Sequence, residues 1–320
     1  MNILITGGAG FIGSHLCERL LKDDNNVYCI DNLSTGSMDT IEHLKAHERF
    51  TFIHADVTKD LPPHSLPDHI DYIYHLASPA SPNHHSSISY HALPMETMMV
   101  NTVGTHAMLE LAKKYNARFL FASTSEIYGE PLEHPQKESY RGNVSTTGPR
   151  SVYDEAKRFG ETLVAYYQRA LEVDTRIVRI FNTYGPHMSD KDMRMSVLFM
   201  LQALKNEPIT IFGDGTQTRS LCYVDDLVNG LVICMEKNGL SGEIINMGST
   251  DEKTVLEYAQ LIKSIAHSES EISVTEKLPE DDPKQRKPDI TKAKELLGWE
   301  PTTSIEDGLK KTIDTIRTNL

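Results

Sequence analysis

Tyr153 and Lys157 lie four residues apart in a stretch with helical periodicity, so both side chains share one helix face and can meet. An ammonium beside a phenol favours tyrosinate and is expected to lower the phenol pKa from about 10 toward neutrality, making Tyr153 a usable general base. The same lysine can also hold a ribose. Upstream, the apolar run Phe119-Leu120-Phe121-Ala122-Ser123 passes directly into Thr124-Ser125-Glu126-Ile127-Tyr128-Gly129. Hydroxyls and a carboxylate at the carboxyl end of a strand suit substrate orientation and proton transfer.

A third motif binds rather than reacts. Thr6-Gly7-Gly8-Ala9-Gly10-Phe11-Ile12-Gly13 sets Gly7, Gly10 and Gly13 three apart between a strand and a helix. Glycines there let the backbone approach a pyrophosphate, and the helix start offers unpaired N–H groups and a positive dipole end. Asp31, 24 residues after Gly7, stands where an acid accepts hydrogen bonds from an adenosine ribose, and its charge favours NAD over NADP. Asp56-Val57 is positioned for the adenine edge, although an Asp there also suits a turn. With the Tyr–Lys pair, these are the parts of a redox site. His43 and His47 sit four apart on an expected helix, but no third ligand is evident and no metal is expected.

Elements must hold these groups together. Short β-branched runs at Asn2–Thr6, Val27–Ile30, Phe50–Ala55, Tyr72–Leu76, Phe119–Ser123 and Arg176–Ile180 read as strands, with helices at Phe11–Lys22, Met95–Tyr115 and Val152–Leu171. The expected fold class is α/β: a doubly wound Rossmann-type parallel sheet with a smaller α/β C-terminal region for substrate. Strand-like Pro208–Phe212 and Ile244–Met247 and helices at Val224–Glu236, Val255–His267, Ile290–Leu297 and Ile305–Arg317 make up the less regular second part. The expected division is residues 1–183 for the dinucleotide and 184–320 mainly for substrate, with 224–247 free to return to the sheet.

The 320 residues are 39% hydrophobic and 24% charged, with a net charge of −13. That suits a large globular core and speaks against a nucleic-acid partner, which needs clustered cations. Cys17, Cys29, Cys222 and Cys234 are dispersed in apolar runs, as expected for reduced thiols, and the opening Met1-Asn2-Ile3 shows no basic leader. A cytoplasmic protein without a membrane span is expected.

The segments GGAGFIGSHL, HLASPASP, ASTSEIYGEP, GPRSVYDEAKR, RIFNTYGPHM, DGTQTRSLCYVDDLVNGL and DDPKQRKPDITKAKELLGWEP cover nearly the whole chain. Together they closely resemble the extended short-chain dehydrogenase/reductase family. HLASPASP, TSE and YDEAKR resemble its UDP-glucuronate decarboxylase (UDP-xylose synthase) branch more than its nucleotide-sugar epimerases. The resemblance implies catalysis by Tyr153, Lys157, Glu126, Thr124 and Ser125, with NAD as a cofactor that is reduced and then regenerated. Tyr153 would take the 4-hydroxyl proton of a UDP-sugar as carbon 4 is oxidised. The resulting β-keto acid would lose carbon dioxide, and the ketone would then be reduced again. Dehydration, epimerisation or release of the 4-keto pentose are the alternatives within the family, and a non-catalytic NAD-binding regulator is an alternative outside it.

Carried over, the cofactor contacts fall on Gly7, Gly10, Phe11, Ile12, Gly13, Asp31, Asn32, Thr35, Gly36, Asp56, Val57, Leu76, Ser78, Tyr153, Lys157, Thr183 and Arg194. Substrate contacts fall on Glu126, Asn182, Arg219 and Arg286, and Phe212 and Tyr223 are candidates to flank the uracil. Met99 departs from the pattern, since family members carry Lys there, and the loop with His84 and His85 departs after SPASP. The Met-rich stretches 95–99 and 188–200 read as packing surface. By analogy, the helices after Pro94 and Val152 would pair across a two-fold axis into a homodimeric four-helix bundle.

Overall fold

The computed structural model describes residues 1–278 and 282–320. Six strands follow one another at Asn2–Thr6 (β1), Asn26–Asp31 (β2), Phe50–His54 (β3), Tyr72–His75 (β4), Arg118–Thr124 (β5) and Thr175–Ile180 (β6). They lie in one parallel sheet with a seventh strand, Glu243–Met247, in the order Glu243–Met247, β6, β5, β4, β1, β2, β3. Chain order reverses between β1 and β4, which opens a crevice at the carboxyl ends of the strands, the place where such sheets bind ligands.

The central strands β1, β4 and β5 are buried on both faces, so they read as near-continuous apolar runs, whereas the edge strand β3 exposes Thr51 and His54. One core lies between the sheet and the helices Phe11–Lys22 and Val224–Glu236; the second packs Met108, Leu109, Val164 and Tyr167 of the opposite helices against Leu4, Ile73 and Phe119. The Glu243–Met247 strand pairs with β6 from Glu243↔Arg176 to Met247↔Ile180, so part of the chain beyond residue 184 completes the sheet.

The stretch expected as one helix from Met95 to Tyr115 is helical throughout but carries a π-turn at Val100–Gly104 between Pro94–Met99 and Thr105–Tyr115. Inside that turn, Asn101 folds its amide back to the Thr97 carbonyl (2.8 Å) and also reaches the Ser78 hydroxyl (2.8 Å). A π-turn thus aims a polar side chain at the crevice, a common use of this distortion. No helix spans the residues around His43 and His47. Short 3₁₀ turns at Met38–Thr40 and Glu42–Leu44 stand there instead.

The rest of the chain builds small sheets beside the crevice: Ile209–Phe212 with Ile272–Glu276, and Thr218–Ser220 between Glu252–Thr254 and Gln285–Arg286. Helices Met195–Lys205, Val255–Ala266, Thr291–Leu297 and Ile305–Asn319 cover them. Among the described residues no helix is long and apolar enough to cross a membrane.

Candidate active site

The glycine turn shows why only glycine fits there. Gly7 has φ +72°, and a Cβ on it would stand 2.8 Å from the Ala77 backbone; a Cβ on Gly13 would stand 2.1 Å from the Gly7 carbonyl oxygen. The helix Phe11–Lys22 starts at Gly10 with no side-chain cap and no acid in its first turn, so its free N–H groups and positive end face a cavity of about 1550 Å³. The fit to a dinucleotide pyrophosphate is direct: bare backbone, no competing carboxylate, and no Cβ in the way.

Asp31 ends β2 at the same rim. Its carboxylate accepts from the Ala9 N–H (3.0 Å) and the Leu33 N–H (2.8 Å), which fixes its orientation. Burial raises its pKa, and those two N–H donors oppose the rise. Asn32, Thr35 and Gly36 continue the wall, followed by Asp56 and Val57. Asp56 closes a local turn, accepting from the N–H (2.9 Å) and hydroxyl (2.8 Å) of Thr58. On the far side Leu76, Ser78, Thr183 and Arg194 line the cavity. Arg194 is held by Asp192 (2.7 Å) and the Ala80 carbonyl (3.1 Å).

Thr124, Ser125 and Glu126 follow β5 into the cavity, and Tyr153 and Lys157 meet them from the helix Ser151–Leu171. The Lys157 ammonium donates to the Ala122 carbonyl at 2.7 Å and lies 5.8 Å from the Tyr153 ring centre. Burial lowers the Lys157 pKa to about 7, with Glu161 opposing. The expected drop of the Tyr153 pKa is not what the structure shows. Burial raises it above the usual phenol value, outweighing the Thr124 hydroxyl and the Arg194 charge, while Glu126 adds to the rise. The spacing argument placed the ammonium correctly but omitted the cost of withdrawing the phenolate from water.

Glu126 has the opposite balance. Burial pushes its carboxyl up, yet Arg286, Arg150 and Arg219 outweigh that and hold it down to about 2. Arg150 bonds Glu126 directly and reaches Asp282 at 2.9 Å; Arg219 reaches the other oxygen of Asp282 at 2.9 Å. Arg286, almost fully buried, lies 3.3 Å from Glu126 and donates to the Ser125 carbonyl. Glu126 is therefore an anion fixed among three cations, suited to accept hydrogen bonds and orient a bound group, and too weak a base to take up a proton near neutral pH.

Of the residues expected from sequence, all but Arg286 and Tyr223 line the cavity. Arg286 stands behind Glu126 and acts on the site through it. Phe212 also lines the cavity, but Tyr223 does not. Tyr223 is buried against Tyr184, with ring centres 5.7 Å apart, because its strand Cys222–Tyr223 pairs inward with Thr183–Tyr184. Met95 and Met99 are exposed at the cavity edge, 59% and 40%.

Sequence reasoning missed Arg150, Asp282 and Tyr90. Tyr90 stacks on Tyr153 (5.0 Å, 8°), and its buried hydroxyl has no hydrogen-bond partner. The signal for Arg150 was its place just before the helix that carries Tyr153. Tyr90 had none, since it sits in an irregular loop.

A GDP-mannose 4,6 dehydratase family model matches residues 4–312. The chain belongs to this family, a branch of the extended short-chain dehydrogenases/reductases. Within the family it is 50% identical to UDP-glucuronic acid decarboxylase 1 of Danio rerio over 313 residues, 97% of this chain and 71% of that one. It is 49% identical to UDP-glucuronic acid decarboxylase 5 of Arabidopsis thaliana over 310 residues, 97% of this chain and 87% of that one. Another member of similar fold is the UDP-glucuronic acid 4-epimerase of Bacillus cereus, solved with UDP-glucuronic acid and NAD. It has a TM-score of 0.87 and 32% identity, with full coverage of both chains.

Proposed function

We propose that this chain decarboxylates UDP-glucuronate to UDP-xylose with NAD as a regenerated cofactor. The observation that carries this reading is the convergence of Tyr153, Lys157, Thr124 and an ionised Glu126 on one cavity wall, in a chain half identical to decarboxylases along nearly its full length.

The first helix turn would hold the NAD pyrophosphate, Asp31 the adenosine ribose, and Lys157 the second ribose. NAD held there would supply reversible acceptance of a hydride, one hydrogen nucleus with its two bonding electrons, from sugar carbon 4. Tyr153 accepts the 4-hydroxyl proton once cationic charge from the loaded site offsets the burial that now keeps its phenol protonated. A ketone at carbon 4 makes the carboxylate a β-keto acid, so the bond to carbon dioxide breaks and its electrons pass into an enolate. Thr124 and Ser125 orient the sugar. Glu126, an anion at neutral pH, accepts a hydrogen bond from a sugar hydroxyl or from a water and so orients the water whose proton replaces carbon dioxide on carbon 5. Asn182 and Arg219 would contact the nucleotide sugar, with Arg286 keeping Glu126 in place.

Residues 1–183 with the returning 224–247 segment would hold NAD, and the remainder the UDP-sugar. A homodimer is supported by two exposed apolar stripes, Met95, Met99 and Val103 on one helix and Phe159 and Tyr166 on another, spaced by whole helical turns. A cytoplasmic setting is supported by four buried free cysteines.

The test is product mass. Incubation with UDP-glucuronate and NAD should yield a nucleotide sugar lighter by one carbon dioxide, without NADH accumulating. Loss of water, or inversion at carbon 4 with unchanged mass, would overturn the reading, and NADH rising in step with product would mean that the ketone is released.

A further inference from the structure

His84 and His85 sit in the loop that follows SPASP, and both direct Nε2 at one carboxylate, Glu276, nearly two hundred residues away in sequence. The distances are 3.6 Å from His84 and 3.0 Å from His85, and the imidazole rings are 4.0 Å apart. One ligand atom from each of the three residues falls within 4.8 Å of the others, the one such group among the described residues. We propose that His84, His85 and Glu276 form a site for a divalent transition metal, Zn²⁺ by ligand chemistry, that clasps this loop to the strand Ile272–Glu276.

Two imidazoles and a carboxylate with open positions suit Zn²⁺, bound at about 2.0–2.2 Å by such ligands, and the remaining corner goes to water. Ligand atoms around a tetrahedral ion lie roughly 3.3 Å apart. The side chains, each 41–48% exposed, reach that spacing by small rotations. Without an ion, two adjacent imidazoles compete for one carboxylate, and protonating both sets like charges side by side. A metal uses both lone pairs instead.

The backbone on each side is already fixed. Asn83 orients the loop by accepting from the His85 N–H (2.9 Å) and donating to the Met193 carbonyl (2.6 Å), and Ser81 donates to the Asp192 carbonyl (2.6 Å). Opposite, the strand carrying Glu276 shifts register between Val274 and Glu276 where it pairs with Ile209–Phe212, and such an irregularity re-aims a side chain. Both histidine rings lie against Phe212, at 6.1 and 6.4 Å, on the rim of the cavity. The same loop ends at Tyr90, stacked on Tyr153. An ion here would hold down the loop that roofs the site while touching none of the groups assigned to the reaction. The binding site itself does not depend on the proposed activity.

The test titrates the chelator-treated full chain with ZnCl₂ by calorimetry at neutral pH and follows amide exchange in the loop. With 14 histidines in the chain, adventitious binding must be separated, so His43→Gln, at the His43–Glu18 pair, serves as the control. One equivalent should bind; His84→Gln, His85→Gln and Glu276→Gln should each weaken it by about tenfold or more, and His43→Gln should not. Zn²⁺ should slow exchange of residues 82–90 in the unaltered chain but not in Glu276→Gln. Affinity unchanged in the three variants, or lost in the control, overturns the site. Binding without slowed exchange overturns the clasp.

Discussion

At the scale of single residues, the site pairs a buried phenol and a part-buried carboxylate with opposite tendencies. Tyr153 is kept protonated by burial, whereas Glu126 is kept ionised by three guanidinium groups. Tyr153→Phe removes only the hydroxyl, so NAD affinity should stay within about twofold while turnover falls roughly 10²- to 10⁴-fold. A variant that turns over normally would take Tyr153 out of the reaction. Glu126 also bears on stability. Its folded pKa of about 2 lies below the ordinary 4.5, so its stabilisation is complete above pH 4.5 and is lost as pH falls toward 2, a change of roughly 3 kcal/mol. Glu126→Gln should flatten that acid limb in urea melts. At pH 7 it should also cost on the order of 3–5 kcal/mol, because Arg286 loses its carboxylate while buried. An acid limb identical to that of the unaltered chain would show that the arginines do not hold Glu126 ionised.

At the scale of elements, the close approach of the glycine turn and the helix Phe11–Lys22 makes Gly13 the least replaceable of its glycines. Gly13→Ala should weaken NAD binding by more than tenfold in a fluorescence titration and lower the melting temperature. Gly10→Ala, whose Cβ would meet the Gly7 oxygen at 3.2 Å, should do much less. Equal effects would mean that packing does not set the turn. The elements of the sheet were legible in sequence because the strands are short β-branched or aromatic runs bounded by turns, and the helices Phe11–Lys22 and Val224–Glu236 fall where their periodicity placed them. The strand Ile272–Glu276 and the helix Met195–Lys205 were not read. The first is short and pairs at the protein's edge; the second is apolar nearly all round, so it has no polar face to reveal its period. Within the site, motifs exposed the residues adjacent to a strand end or on one helix face. Arg150, Asp282 and Tyr90 come together only through tertiary folding, from three unrelated segments; Arg150 is marked by its place before the Tyr153 helix, and no local pattern marks the other two.

At the scale of the whole molecule, Met95, Met99, Val103, Phe159 and Tyr166 form exposed apolar stripes on two helices, the surface on which the proposed homodimer would rest. Val103→Glu with Phe159→Glu places charge in the middle of both. The pair should convert a dimer to a monomer in light scattering after size exclusion, whereas a dimer that survives both substitutions must use another face. The net charge of −13 belongs to the whole chain; in the crevice Arg150, Arg194 and Arg219 stand already paired with Glu126, Asp192 and Asp282, so an anionic ligand would meet donors held in place by carboxylates.

The strand Glu243–Met247 gives synthesis of this chain a particular timing. It fills the edge beside β6, yet it leaves the ribosome more than sixty residues after β6 is complete. At about 5–20 residues per second, that interval lasts several seconds. During it the nascent sheet carries an open row of backbone donors and acceptors, a template for pairing with other chains. The unfinished chain thus presents β6 as an edge that Glu243–Met247 later covers, and a chaperone that shields β6 for those seconds would raise yield without changing final stability.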